Sequence, residues 1–185
     1  MKRFNVTIVL FLTAMLMLAQ GVTQEEIAGI RAAYWAAKEQ IDLNNQAQDQ
    51  NVPRSDMEVV SHYVIPGCGP TEEVIHYYFT LEEGPETDSY VNKLFMITRS
   101  YNVAARKFYE EFLFDKEETT LLFFFQSNDA IDGSTDETRY YYTSNGIHKS
   151  VIGSAEMDEI FAARLADDLK TAFNLLVNRD SKESN

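Results

Sequence analysis

The chain is poor in the residues that most often announce a function. Its 185 residues include one cysteine, three histidines and one tryptophan. A lone Cys68 cannot close an internal disulfide, so the fold must rest on its core. Basic residues are scarce as well. Sixteen Lys and Arg stand against 29 Asp and Glu, a net charge of −13. Sequence-independent binding of nucleic acid needs a basic surface, and this balance argues against it. No phosphate-cradling Gly-rich loop, HExxH pair, Ser elbow or CxxC pair occurs, which lowers the weight of an enzymatic reading. After residue 21 no apolar run reaches membrane-spanning length. The hydrophobic content of 45% and aromatic content of 12% are too high for a disordered chain.

The N-terminus has the layout of a secretory signal peptide. Lys2 and Arg3 form a positive start, Val6 to Leu18 an apolar stretch, and Ala19-Gln20-Gly21 places small residues at the cut. Cleavage is expected between Gly21 and Val22. The retained-anchor alternative is disfavoured because the apolar run is too short to span a bilayer. Lys2 and Arg3 are the only charged residues of the leader. The mature chain therefore carries 14 basic and 29 acidic residues, a net −15.

Thr23-Gln24-Glu25-Glu26 reads as a capping box that opens a helix over about 24–44, with Ile27, Ile30, Tyr34, Ala37 and Ile41 at helical spacing. A polar linker follows near 44–57. Seven strands are then expected, at about Glu58–Ile65, Glu73–Leu81, Val91–Tyr101, Ala105–Asp115, Thr120–Gln126, Glu137–Thr143 and Ile147–Ile152. Pro66-Gly67-Cys68-Gly69-Pro70 forces one turn. Asn145-Gly146 suits a two-residue hairpin loop, which would oppose Tyr142 to Lys149 and Tyr140 to Val151. A last helix, with Ser154 as a candidate N-cap, carries Ile160, Leu165, Leu169, Phe173 and Leu176. The tail 179–185 is expected to fray.

Helix, seven strands and helix in that order, with short connections, give an α+β domain over 22–178: an antiparallel meander with helices packed on it. Both helices are expected on one face. Phe123-Phe124-Phe125 and Tyr140-Tyr141-Tyr142 put aromatics on both faces, so either both faces are covered or one is an exposed aromatic surface.

Each candidate site has a plainer competitor. His62 and His76 would become cross-strand neighbours if paired positions sum to 138, but two imidazoles do not make a zinc site, and His148 lies far along the chain. Cys68 with His62 could suggest a nucleophile pair, although a histidine inside a strand lies about 10 Å from the turn. Glu110 and Glu111 cannot flank one glycosidic bond, because neighbours on a strand point to opposite faces. Glu110 alone shares a face with Arg106, Phe108, Phe112 and Phe114. A buried carboxylate there needs Arg99 or Arg106 as partner, and a structural ion pair is favoured over a catalytic acid. Asn128–Glu137 is an acidic loop, but Ala130 and Arg139 occupy ligand positions of an EF-hand alignment, so no Ca²⁺ site is expected. No metal, cofactor or catalytic residue is assigned.

The leader, the stretch Ile97–Arg106 and the hairpin from Thr138-Arg139-Tyr140-Tyr141-Tyr142 to Asn145-Gly146 together resemble small exported proteins of the Bacteroides group. That resemblance implies export from a Gram-negative cell, to the periplasm or beyond, and supplies no ligand or catalytic residue.

The leading expectation is a non-enzymatic binding module that contacts a protein, peptide or glycan through an aromatic sheet surface. Tyr141, Tyr142, Glu110, Arg106 and Arg99 are its candidate residues. A hydrolase with an unfamiliar carboxylate site and an envelope assembly subunit are the alternatives.

Overall fold

The structure is a computed structural model that describes residues 21–47, 55–84, 90–117, 120–129, 133–154 and 157–177. The leader up to Gln20, the middle of the polar linker and the tail 179–185 lie outside the described residues.

Helix α1 spans Gln24–Ala47, so the first residues of the expected linker are helical. Its capping box forms as the sequence predicts. The Glu26 N–H donates to Thr23 Oγ1 at 3.2 Å, and the Thr23 N–H donates to Glu26 Oε2 at 2.8 Å. Seven strands follow: β1 (Asp56–Ile65), β2 (Gly69–Glu83), β3 (Tyr90–Val103), β4 (Arg106–Phe114), β5 (Leu121–Asp129), β6 (Thr135–Thr143) and β7 (Gly146–Ile152). They form one antiparallel sheet in the order of the chain. Helix α2 spans Glu159–Val177. No helix among the described residues is long and apolar enough to cross a membrane.

The helices lie on opposite faces, which corrects the expectation that both cover one. Ile27, Ile30, Ala37 and Ile41 of α1 pack with Met96, Leu113, Phe123 and Tyr141. Ala162, Ala166, Leu169 and Phe173 of α2 pack with Ile97, Phe112, Phe124 and Tyr140. The two sets of strand residues are immediate neighbours in sequence. Successive side chains on a strand face opposite ways, so each aromatic run feeds both cores. The architecture is therefore a three-layer helix–sheet–helix sandwich.

Two bulges adjust this alternation. The register shifts between Tyr78 and Phe79 leave Phe95 as an extra residue, and those between Leu113 and Phe114 leave Leu122. Leu94 thereby joins the α2-side core, while Phe95 and Met96 both serve the α1 side.

Two hairpin registers differ from expectation. In β1–β2, Ile65 pairs with Gly69, and His62 and His76 face Glu72 and Glu58 rather than each other. Pro66 and Gly67 (φ 82°) form the centre of a turn closed by the Cys68 N–H on the Ile65 carbonyl at 3.0 Å. The turn is thus centred two residues earlier than assumed. In β6–β7, Tyr142 pairs with Ile147 and Tyr140 with Lys149. The loop is Ser144-Asn145, and Gly146 (φ 132°) supplies the positive φ. Glu26 of α1 accepts from Asn145 Nδ2 at 2.8 Å, a tertiary contact that the local pattern does not contain.

Ser154 is not the cap of α2. Asp158 Oδ1 accepts from the Phe161 N–H at 2.8 Å and takes that role. The Ser154 N–H donates instead to Asp136 Oδ1 at 3.1 Å.

Candidate functional site

Glu110 and Glu111 are adjacent on β4 and both buried, one on each face of the sheet. Glu110 is 0% exposed. Its direct cross-strand neighbours are Arg99 on β3 and Gln126 on β5. Arg99 Nη1 donates to Glu110 Oε2 at 3.0 Å. Oε1 accepts from Tyr101 Oη at 3.0 Å and from Gln126 Nε2 at 2.9 Å. Arg99 Nε also donates to Glu73 Oε1 at 2.5 Å. Burial pulls the Arg99 pKa down, but Glu110 and Glu73 outweigh it and raise the pKa above the ordinary value. Burial, reinforced by Glu110, pushes the Tyr101 phenol well above the ordinary tyrosine value. Both Glu110 oxygens are occupied by donors that stay protonated at neutral pH. A buried carboxylate with an arginine and two further donors on it has the geometry of a structural ion pair. Arg106 takes another course: its Nε donates to the Asp129 carbonyl at 3.0 Å. Of the two candidate partners, Arg99 is the one that reaches Glu110.

Glu111 is held from the other side. Oε2 accepts from Tyr34 Oη at 2.8 Å, and Oε1 accepts from Lys38 Nζ at 3.1 Å and Tyr109 Oη at 2.7 Å. Burial, and after it Glu111, drives the Tyr34 and Tyr109 phenols far above the ordinary tyrosine range. This cluster was not foreseen. The available signal was Tyr34 and Lys38 one helical turn apart on α1, which place a hydroxyl and an ammonium on one helix face.

The concave surface of interest lies beside this second cluster. A cleft of about 500 Å³ runs between α1 and strands β5–β7. Its floor contains Ile30, Phe123 and Tyr141, and its walls contain Arg31, Trp35, Phe125 and Arg139. α1 positions Arg31 and Trp35 because the helix turns its Ile27, Ile30, Ala37 and Ile41 stripe to the sheet, which leaves these two on the flank. Trp35 is 67% exposed and packs edge-on against Tyr34, with ring centroids 5.2 Å apart. The Arg139 guanidinium lies 4.9 Å from the Phe125 ring centre and pairs with Glu137 at 2.6 Å. On the opposite flank of α1, Ala33, Ala36 and Ala37 face Phe95, Leu113 and Leu122 across a more apolar groove.

The tyrosine candidates are not on an open sheet surface. Tyr141 is only 4% exposed, packed against α1, and contributes to the cleft floor. Tyr142 is half-buried on the other face, where its hydroxyl donates to the Glu159 carbonyl at 2.8 Å. Burial first, then Tyr140 and Glu159, raise its pKa.

The remaining candidates do not converge. His62 Nδ1 lies 3.7 Å from Glu72, and His76 Nε2 lies 3.2 Å from Glu58. Cys68 is an exposed free thiol in the first turn. Residues 130–132 of the acidic loop lie outside the described residues, and Asp136 accepts from the Ser154 backbone. Among the described residues no group of three or more His, Cys, Asp or Glu is placed to hold a metal.

No protein-family model matches the chain, and neither the curated proteins nor the solved structures contain a match to it.

Proposed function

We propose that this is an exported, non-enzymatic binding module of the periplasm or cell exterior, and that its ligand site is the cleft between α1 and β5–β7. One observation carries the reading. The cleft joins exposed aromatic surface to two arginines, at a volume within the roughly 300–1,000 Å³ of small-ligand sites. The leader supports export, and N-terminal sequencing of the secreted form should begin at Val22.

Saturation of both Glu110 oxygens weighs against the hydrolase alternative. The assembly alternative keeps one specific support. β1 and β7 end the sheet and expose Val60, Val64, Ile147 and Ile152 beside their outer edges. A concentration-independent monomer mass would remove it.

The binding reading is tested with purified protein as bait against detergent-solubilised envelope from its own source. Saturable capture should be lost in Trp35→Ala and retained in Ile160→Ala, an exposed change on α2. Equal capture by the wild type and Trp35→Ala would sink the cleft as the site.

A further inference from the structure

The charge of the cleft runs against the charge of the chain. The protein holds 29 acidic and 16 basic residues, yet the charged residues lining the cleft are Arg31 and Arg139, with no carboxylate among them. These two arginines differ in availability. Arg139 is already paired with Glu137 and laid on Phe125. Arg31 is exposed, and its Nε makes one long contact, 3.4 Å to Tyr141 Oη. Its guanidinium carbon stands 5.4 Å from the centre of the Tyr141 ring. Among the described residues no carboxylate lies within ion-pair distance of Arg31. Its terminal nitrogens are therefore free to form the two-point bond that guanidinium makes with a carboxylate.

The body of the ligand is constrained by the aromatic walls. Trp35, 67% exposed, offers a flat, polarizable face on which a ring stacks better than a flexible chain, while Phe125 already carries the Arg139 guanidinium. Tyr34 cannot serve as a recognition donor, because its hydroxyl is committed to Glu111. Recognition is left to ring stacking plus an anion contact at Arg31, with Arg139 as a weaker second cation.

We propose, resting on the binding reading above, that the cleft recognises a carboxylate carried on a six-membered ring. A sugar acid and an aromatic acid share that chemistry. The molecule's overall negative charge would repel such an anion at long range, but charges beyond about 8 Å are screened at physiological salt. Discrimination is therefore a contact property of Arg31.

The test is calorimetric titration of the purified protein with glucuronate and benzoate, and with glucose and benzyl alcohol as their uncharged counterparts. At least one carboxylate should bind at least tenfold more tightly than its counterpart. Arg31→Gln should abolish that tenfold preference while leaving the circular dichroism spectrum and melting temperature unchanged, since Arg31 is exposed. Trp35→Ala should weaken both members of a pair. Glucuronate preferred over benzoate assigns the site to sugar acids, and the reverse assigns it to aromatic acids. Equal affinity for charged and neutral members, or a preference that survives Arg31→Gln, overturns the carboxylate inference while the cleft remains a binding site. No binding of any of the four also overturns it, and the envelope capture with Trp35→Ala then decides separately whether the cleft binds anything.

Discussion

Glu110 and Glu111 are chemical twins one residue apart, and the two faces of the sheet treat them differently. Glu110 is satisfied wholly from within the sheet: Arg99 and Tyr101 come from β3 and Gln126 from β5. Glu111 takes two of its three donors, Tyr34 and Lys38, from α1. The first cluster therefore belongs to the sheet itself, while the second ties a helix to it. The difference extends to function. The α2-side cluster is held by strands alone, whereas the α1-side cluster braces the helix that forms one wall of the arginine and aromatic cleft.

Arg99→Leu should produce the largest effect. It strands the carboxylate of Glu110 without its cation in a fully buried position, a class of change that costs about 3–5 kcal/mol. Urea unfolding should show that loss, with broad weakening of the sheet in hydrogen exchange. A loss below about 1 kcal/mol would mean that Glu110 is neutral or hydrated in the native state.

Alkaline pH acts on both faces at once. The folded-state pKa values of Tyr34, Tyr101 and Tyr109 are raised above the unfolded value, chiefly by burial. Their contribution is fully present below about pH 10, the ordinary tyrosine pKa. It declines as pH rises above that, because the unfolded chain gives up those protons first. Phenolate absorbance near neutral-to-alkaline titration should therefore rise together with loss of structure. The double variant Tyr34→Phe/Tyr109→Phe should have a shallower alkaline slope. Free titration of all tyrosines in the folded protein at pH 10 would contradict the burial of these hydroxyls.

Glu111→Gln should cost less than Arg99→Leu, about 1–3 kcal/mol. The freed ammonium of Lys38, whose side chain is 35% exposed, can turn to water. Protection should fall in α1 and hold in the sheet. Equal losses for Glu111→Gln and Arg99→Leu, spread over the same residues, would erase the distinction between the faces. Smallest is Thr23→Ala, which removes one side of the capping box and should cost about 1 kcal/mol. Its effect on exchange should be confined to the first turns of α1.

Much of the fold was legible in the chain. The capping box, both helices, seven strands and their meander order follow from short-range patterns: helical spacing, strand-forming runs, and turns too short for anything but antiparallel pairing. The site was less legible. Arg99 as a partner of Glu110 was visible as an alternative to Arg106, because both lie on strands flanking or containing Glu110. Choosing between them required the register that sets Arg99 opposite Glu110. Tyr141, a candidate for the aromatic sheet surface, is instead covered, since strand periodicity tells which residues share a face but not what lies on it. Arg31 and Trp35 carried no local signal beyond their place on a helix flank.

The amino-acid sequence by itself determined the elements, their order and the division of each strand into two apolar faces, because these depend on backbone preference and on residue spacing of two or 3.6. Only the tertiary structure decided that the helices take opposite faces, that Asn145 is caught by Glu26, and that two arginines distant in the chain meet beside one aromatic cleft. Those outcomes depend on contacts between residues far apart in sequence, where many pairings satisfy the same local pattern and only the packing of the whole selects among them.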